Sequence, residues 1–285
     1  MKVHLHKRVS RSIRGRLRSR VLAECGIGIV AATRNGTLVV DPGDFNVARD
    51  LLERGEYDWS EVALLSRLVD SSSRIVFAGA HIGALLVPIV RSAGTRSVVA
   101  YEPSPRNHRM LRMNLLLNEI EGVAVENCAV GDAAGTVRFT ENRINSGNSR
   151  ISRDSGEIQV AVVTLDASLP TWPTIDLLVV DVEGFEVNVM RGAPQTLART
   201  QRLYSEFAPE QLQEQGSTVQ EFVDLAAAHF SSVYVMGREP RFLRRDEFPA
   251  YLKGSSTRRG RLLNLLFTRD SQPDARLFMK EADSG

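Results

Sequence analysis

IVFAGAHIGALL, residues 75–86, is where the chain turns from strand to helix and where its fold is decided. Ile75, Val76 and Phe77 form an apolar run suited to a strand covered on both faces. Gly79 and Gly83 permit a tight turn and a close approach of the backbone, after which apolar residues resume as a helix. The same order recurs downstream, with strands expected at 75–77, 98–101, 123–128, 175–180, 201–205, 231–235 and 262–268. Near-continuous apolar runs such as IDLLVV (175–180), alternating with helices, predict an α/β fold built on a doubly wound, Rossmann-like, mostly parallel sheet of seven strands.

Upstream, TLVVDPGD (37–44) reads as a short strand stopped by a Pro-Gly turn, with a helix expected near 45–54. Trp59, Val62, Leu65 and Val69 recur at helical spacing and predict an amphipathic helix over 59–69, so the sheet carries an N-terminal helical extension. Between 130 and 165, GTVRFT and EIQVAVVTL are strand-like around the polar NRINSGNSRISRDSG, an inserted hairpin and loop over the mouth of the site. Gly, Pro and Arg make 237–261 a loop-and-turn region. The expected division is a basic arm at 1–23, leader strand and helices at 24–72, the main domain at 73–270 and a tail at 271–285.

With 285 residues and 43% hydrophobic content the chain can bury one sizeable core. No apolar run approaches the ~20 residues that cross a bilayer, and charges stand where a signal peptide needs its apolar segment. Cys25 and Cys128 form no metal spacing and read as buried thiols of a reducing compartment, so a cytoplasmic location is expected. Lys2, Lys7, Arg8, Arg11, Arg14, Arg16, Arg18 and Arg20 all precede the first acid, Glu24. Such an arm has the charge for weak contact with a membrane surface, but a solvated end is the plainer reading, and no nucleic-acid partner is expected. Lysine is absent from 8 to 252 and no GxxxxGK[ST] exists, which disfavours Schiff-base chemistry and a P-loop.

Ligands of open α/β sheets sit at the carboxyl ends of the strands, beside the point where strand order reverses. Four successive strand ends here carry a small-residue turn or an acid: AGAHIG, then Glu102, then NCAVGD (127–132), then DVEGFE (181–186); Glu206 ends the fifth. An acid placed as Glu102 is can accept hydrogen bonds from both ribose hydroxyls, so an adenosine-bearing cofactor explains the set. A nicotinamide site needs GxGxxG, and GAHIG supplies only GxxxG. S-adenosylmethionine, which has no pyrophosphate, is the better match.

VVDPGD, AGAHIG, VVAYEPSP (98–105), NCAVGD, VTLD (163–166), IDLLVVDVEGFEVNVMRGA (175–193) and LYSEFAP (203–209), in this order, resemble the FkbM-type S-adenosylmethionine-dependent methyltransferases, over roughly residues 37–235. The resemblance implies the class I methyltransferase fold, with a last strand, LLNLLF (262–267), antiparallel to the others. It places Gly79, His81 and Gly83 around the methionine end of the cofactor, Glu102 on the ribose, Ala129 and Val130 near the adenine, and Asp181 beside the transferred methyl. Phe77 stands where the family turn begins with an acid, His81 where it has Asn, and Val179 where Lys is usual.

Methyl transfer to an alcohol requires the acceptor oxygen aligned behind the methyl group and a base for its proton. Asp181, Glu183 and Glu206 are the candidate catalytic residues, with His81 as a further base; Asp181 is favoured by its strand-end position. Asp181 and Glu206 lack a third carboxylate at a diagnostic spacing, so no metal is expected. The acceptor implied by the resemblance is a hydroxyl of a small molecule, such as a sugar or secondary metabolite, or of a glycan. Asn145, Ser146, Asn148 and Ser149 have the hydrogen-bonding groups of a lid over a polyhydroxylated substrate. The departures at Phe77 and Val179 leave two other readings: a cofactor-binding protein without transfer activity, and an NAD-dependent oxidoreductase.

Overall fold

The computed structural model describes residues 28–142, 145, 149–152, 158–237, 239–256, 260, 262–272 and 274. The basic arm, Cys25, Ser146, Asn148 and most of the tail lie outside them.

The leader comprises β1 (Ile29–Thr33), β2 (Gly36–Val40), α1 (Val47–Glu53) and α2 (Trp59–Ser66). The main sheet begins with β3 (Arg74–Ala78), α3 (Leu86–Ala93), β4 (Ser97–Tyr101), α4 (Pro105–Leu117) and β5 (Val123–Glu126). A smaller sheet follows, from β6 (Ala129–Val130), β7 (Gly135–Thr140), β8 (Arg150–Ser152) and β9 (Ile158–Val163). The chain continues through α5 (Leu165–Ser168), β10 (Ile175–Val180), α6 (Glu186–Arg191), α7 (Pro194–Arg199), β11 (Thr200–Phe207), α8 (Pro209–Glu214) and α9 (Val219–His229). It finishes with β12 (Ser232–Val235), β13 (Arg241–Arg244), α10 (Phe248–Ser255) and β14 (Leu263–Thr268).

The main sheet has the order β13-β12-β14-β11-β10-β3-β4-β5. Strands β3, β4, β5, β10 and β11 are parallel, and β14 runs antiparallel between β11 and β12. This is the doubly wound, mostly parallel class I methyltransferase arrangement. Strand order reverses at β3, so a crevice opens between the carboxyl ends of β3 and β10. One core fills the face under the leader, α3 and α4, with Leu38, Leu65, Phe77, Ile89 and Val179. The other fills the opposite face, with Val76, Val180, Leu203, Phe222 and Phe267 under α6, α7, α9 and α10.

Local chemistry sets the helix ends. Ser104 accepts from Asn107 N and Pro105 takes the first turn of α4, Thr218 and Glu221 form a reciprocal capping box on α9, and Gly94, at φ 69, ends α3. Three sequence expectations need correction. The sheet has eight strands rather than seven, because β13 adds an edge to β12. Residues 237–261 hold that strand and a helix: the arginines of β13 sit exposed at the edge, while Phe248 and Leu252 of α10 are buried. The extension is a hairpin plus two helices, since β1 pairs with β2 in full register.

Two asparagines one helical turn apart hold that hairpin. Asn114, wholly buried on α4, accepts from Val39 N (2.6 Å) and donates to Val39 O (3.3 Å) and Ile82 O (2.7 Å). Asn118 treats Thr37 likewise, at 3.0 and 2.8 Å, so the helix side chains complete the edge of β2. Asn114→Ala is expected to cost about 2–4 kcal/mol, from three lost bonds and the buried backbone groups left bare. Urea titration checks it; a loss below about 0.5 kcal/mol would mean the leader is held by apolar packing alone.

Candidate functional site

The carboxyl ends of β3, β4 and β10 surround a cleft of about 960 Å³, open mouth included, whose wall contains Gly79, His81, Glu102, Ala129, Val130, Asp181 and Glu183. Gly79 begins its floor, with φ 86, and an added Cβ there would lie 1.8 Å from the Asp181 carbonyl oxygen. The turn is fastened to β4, since Gly79 N and Ala80 N both donate to Tyr101 O, at 3.0 and 2.9 Å. Gly83, at φ 89, serves packing: its added Cβ would meet Leu111 at 2.7 Å, and it is not part of the cleft wall.

Glu102 is 4% exposed, with Oε2 accepting from His81 N at 2.8 Å and Oε1 from Ser104 N at 2.9 Å. The Asn107 side chain donates to the carboxylate as well, which leaves it one further acceptor position. Burial pushes its carboxyl up to about 7 against the pull of these N–H donors. His81 has φ 52, and burial lowers its imidazole to about 4 although Asp44 attracts its charged form, so the ring is neutral at pH 7. Ala129 and Val130, buried in β6, form the small pocket after β5, together with Cys128.

At the other end, Asp181 continues β10, and burial pushes its carboxyl up to about 6. Glu183, at φ 53, accepts from Gln211 Nε2 at 3.0 Å. Glu206 is not in the cleft wall; it stands behind Asp181 on the neighbouring strand, where burial and the negative charge of Asp181 raise its carboxyl well above the usual range. Glu186 caps its own turn, its Oε1 accepting from Gly184 N (3.1 Å) and Val182 N (3.3 Å). Among the described residues no three His, Cys, Asp or Glu side chains converge on a common metal position, and no helix is long and apolar enough to cross a membrane.

Ser149, expected in a lid, does line the cleft, while sequence reading missed several other wall residues: Val47 and Tyr57 from the leader, Phe139 and Ile151 from the inserted hairpin, and Phe185. The hairpin signal was present, and β7 and β8 do pair at the cleft. Tyr57 gave none, because it lies in a turn between helices, before Asp58 at φ 43.

The raised acids give a pH signature. Glu102 and Glu186, both buried, sit near 7 in the folded chain. Each keeps its proton where the unfolded chain has lost it, so its stabilising contribution is complete below the ordinary carboxylate range and is lost as pH rises through about 7. His81 acts oppositely, but only below its ordinary value of 6.5. The melting temperature of the ligand-free protein should therefore fall between about pH 6.5 and pH 8; a rise in scanning calorimetry would contradict this burial.

A methyltransferase of Beauveria bassiana, Methyltransferase 1, is 28% identical over 42% of this chain and 58% of its own length. Methyltransferase sdnD of Sordaria araneosa is 29% identical over 43% and 61%. The chain thus spans less than two thirds of either relative. Among solved structures, a SAM-dependent O-methyltransferase of Thermotoga maritima shares 14% identity and a TM-score of 0.43, covering 87% of this chain and 80% of that one. TYW2 of P. horikoshii, in complex with MeSAdo, shares 13% and 0.42, over 86% and 72%. The family model of the Methyltransferase FkbM domain matches residues 78–230, from the end of β3 to the residue after α9. That match spans more than half of the chain and takes in the glycine turn, Glu102 and Asp181: the protein belongs to the FkbM methyltransferase domain family.

Proposed function

We propose that the protein is an S-adenosylmethionine-dependent O-methyltransferase acting on a hydroxyl of a sugar, glycan or secondary metabolite. The observation that carries the reading is Glu102, a buried carboxylate in the cleft wall with acceptor capacity beyond the three donors it holds, beside the glycine turn whose floor at Gly79 lies against the Asp181 carbonyl. The residues present fit the cofactor: Glu102 would hold the ribose hydroxyls, the Gly79–Gly83 turn and His81 the methionine end, Ala129 and Val130 the adenine, and Asp181 the methyl side. When bound, S-adenosylmethionine supplies an electrophilic methyl group.

The chain's own task is to align the acceptor hydroxyl and take its proton. Asp181 is the base in this reading, because burial raises its carboxyl to about 6 and so strengthens it as a proton acceptor while leaving it mostly ionised at pH 7. Glu183 lines the same wall and orients the acceptor, and Glu206 acts on Asp181 from behind. Tyr57, Phe139 and Ile151 exclude water from the reacting end. Asn145 and Ser149 offer hydrogen bonds to a polyhydroxylated acceptor.

The same reading assigns 24–72 as a leader on a methyltransferase domain at 73–270, flanked by an arm at 1–23 and a tail at 271–285, with no nucleic-acid partner and a cytoplasmic location. Incubation with methyl-labelled cofactor over a panel of sugars, glycans and hydroxylated metabolites tests it. Label appearing as an ether, and lost with Asp181→Asn, supports it; label appearing only on nitrogen or carbon would refute the O-methyl assignment.

A further inference from the structure

Val47 and Tyr57 enter the cleft wall from the leader, outside the residues matched by the family model, and Phe139 and Ile151 enter it from the inserted hairpin. Tyr57 is fixed by Asn35, 1% exposed, whose amide accepts from Tyr57 N at 2.9 Å and donates to Tyr57 O and to Ala84 O, both at 2.8 Å. Ala84 follows Gly83 and lines the same wall, so one side-chain amide ties the leader to the glycine turn. Ile151 is fixed beside Glu183: its carbonyl oxygen accepts from Gln215 Nε2 at 3.0 Å, one helical turn after Gln211, whose Nε2 holds Glu183. Phe139 and Ile151 are register partners on β7 and β8, so their side chains share one face of the hairpin, and both line the cleft. Two elements that supply none of the groups assigned to the cofactor thus bring apolar and aromatic side chains to the wall that holds Asp181 and Glu183.

The polar groups of the wall limit the charge of the acceptor. Glu102, Asp181 and Glu183 line it, and among the described residues no lysine or arginine does. An anionic acceptor, such as a sugar phosphate or a uronic acid, would stand among carboxyl groups without a countercharge. Of the polar loop side chains, Ser149 reaches the wall and Asn145 does not, and the Ser149 hydroxyl already accepts from Asn142 N at 3.0 Å. A polyol would therefore give up more hydrogen bonds to water than this wall returns. An apolar body gains from burial against Val47, Tyr57, Phe139 and Ile151.

We propose that the acceptor is an uncharged alcohol or phenol with an apolar body, whose ring or aliphatic skeleton packs against Tyr57 of the leader and Ile151 of the hairpin while its hydroxyl meets Asp181. The inference rests on the methyltransferase reading above and narrows its acceptor to this class. The leader then has a chemical task besides covering the core, since Asn35 sets the position of an acceptor-binding side chain.

Three probes test this without a known acceptor: menthol, methyl glucoside and glucose 6-phosphate, followed by saturation-transfer NMR on the protein loaded with S-adenosylhomocysteine. The expected result is saturable binding of menthol, at least about tenfold tighter than that of methyl glucoside, and no binding of glucose 6-phosphate. Tyr57→Ala and Ile151→Ser should each weaken menthol several-fold and leave the calorimetric affinity for S-adenosylhomocysteine unchanged, which also establishes that each variant is folded. Menthol bound no more tightly than methyl glucoside, binding of glucose 6-phosphate, or a substitution that leaves menthol unmoved overturns the acceptor class while leaving the cofactor reading intact. A parallel loss of S-adenosylhomocysteine affinity would put these side chains on the cofactor and overturn it as well. No binding of S-adenosylhomocysteine to the wild type would overturn the cofactor reading, and the acceptor class with it.

Discussion

Gly79→Ala is expected to unfold the floor of the cleft. Its methyl group would stand 1.8 Å from the Asp181 carbonyl oxygen and 2.8 Å from the carbonyl carbon, both backbone atoms that no rotamer change can move. Relief requires the ends of β3 and β10 to part, breaking the 3.0 Å bond from Asp181 N to Ala78 O. The residue also sits at φ 86, which costs an L-residue about 1–2 kcal/mol by itself. With overpacking of about 1–3 kcal/mol, the total is about 2–5 kcal/mol, or roughly 4–20 °C in melting temperature at this chain length. Gly94→Ala is the control, because its φ of 69 is also positive but nothing lies within 4 Å of its added Cβ. It should lose only the conformational part. Equal losses in the two variants would show that the close approach to Asp181 does not matter.

Glu102→Ala should weaken S-adenosylhomocysteine binding by at least about tenfold, since even one charge-assisted bond to the ribose contributes about 1.5–3 kcal/mol. The structure adds a second loss. Glu102 also receives His81 N and Ser104 N, so truncation leaves the glycine turn without its anchor and two amides without an acceptor. Glu102→Gln should fall between, because one amide oxygen can serve only one of the two donors and its NH2 group confronts the other. An affinity unchanged in Glu102→Ala would mean that the adenosine lies elsewhere. Restoring an acid by Phe77→Asp offers no improvement: Phe77 is 1% exposed and packed in the core under the leader, where an unpaired carboxylate destabilises.

The inner strands of the main sheet were legible because β3, β4, β10, β12 and β14 are short apolar runs buried on both faces, and IDLLVV maps onto β10 residue for residue. The glycine turn, Glu102 and Asp181 were legible because strand ends of this topology collect ligand groups, and all meet in one cleft. What the sequence hid has physical causes. Strand β1 is half exposed and carries no strong apolar alternation, so only its pairing with β2 reveals it. The arginines of β13 look like loop residues until an edge strand gives them solvent. Asn114 and Asn118 read as ordinary polar helix residues, yet they complete a strand edge some 75–81 residues away in sequence. Tyr57 reaches the site only through the hydrogen bonds of Asn35, a contact without periodicity. Gly83 and Glu206 carried the right signal but stand behind the wall, one packing α4 and the other pressing on Asp181.

The most direct test of the cofactor assignment is calorimetric titration of the protein with S-adenosylhomocysteine and, separately, with NAD. A cleft that presents Glu102 to the ribose and lacks the GxGxxG turn for a pyrophosphate should give saturable one-to-one binding with the first and no heat with the second. Binding of NAD without binding of S-adenosylhomocysteine would contradict it, and with it the methyl-transfer chemistry assigned to Asp181.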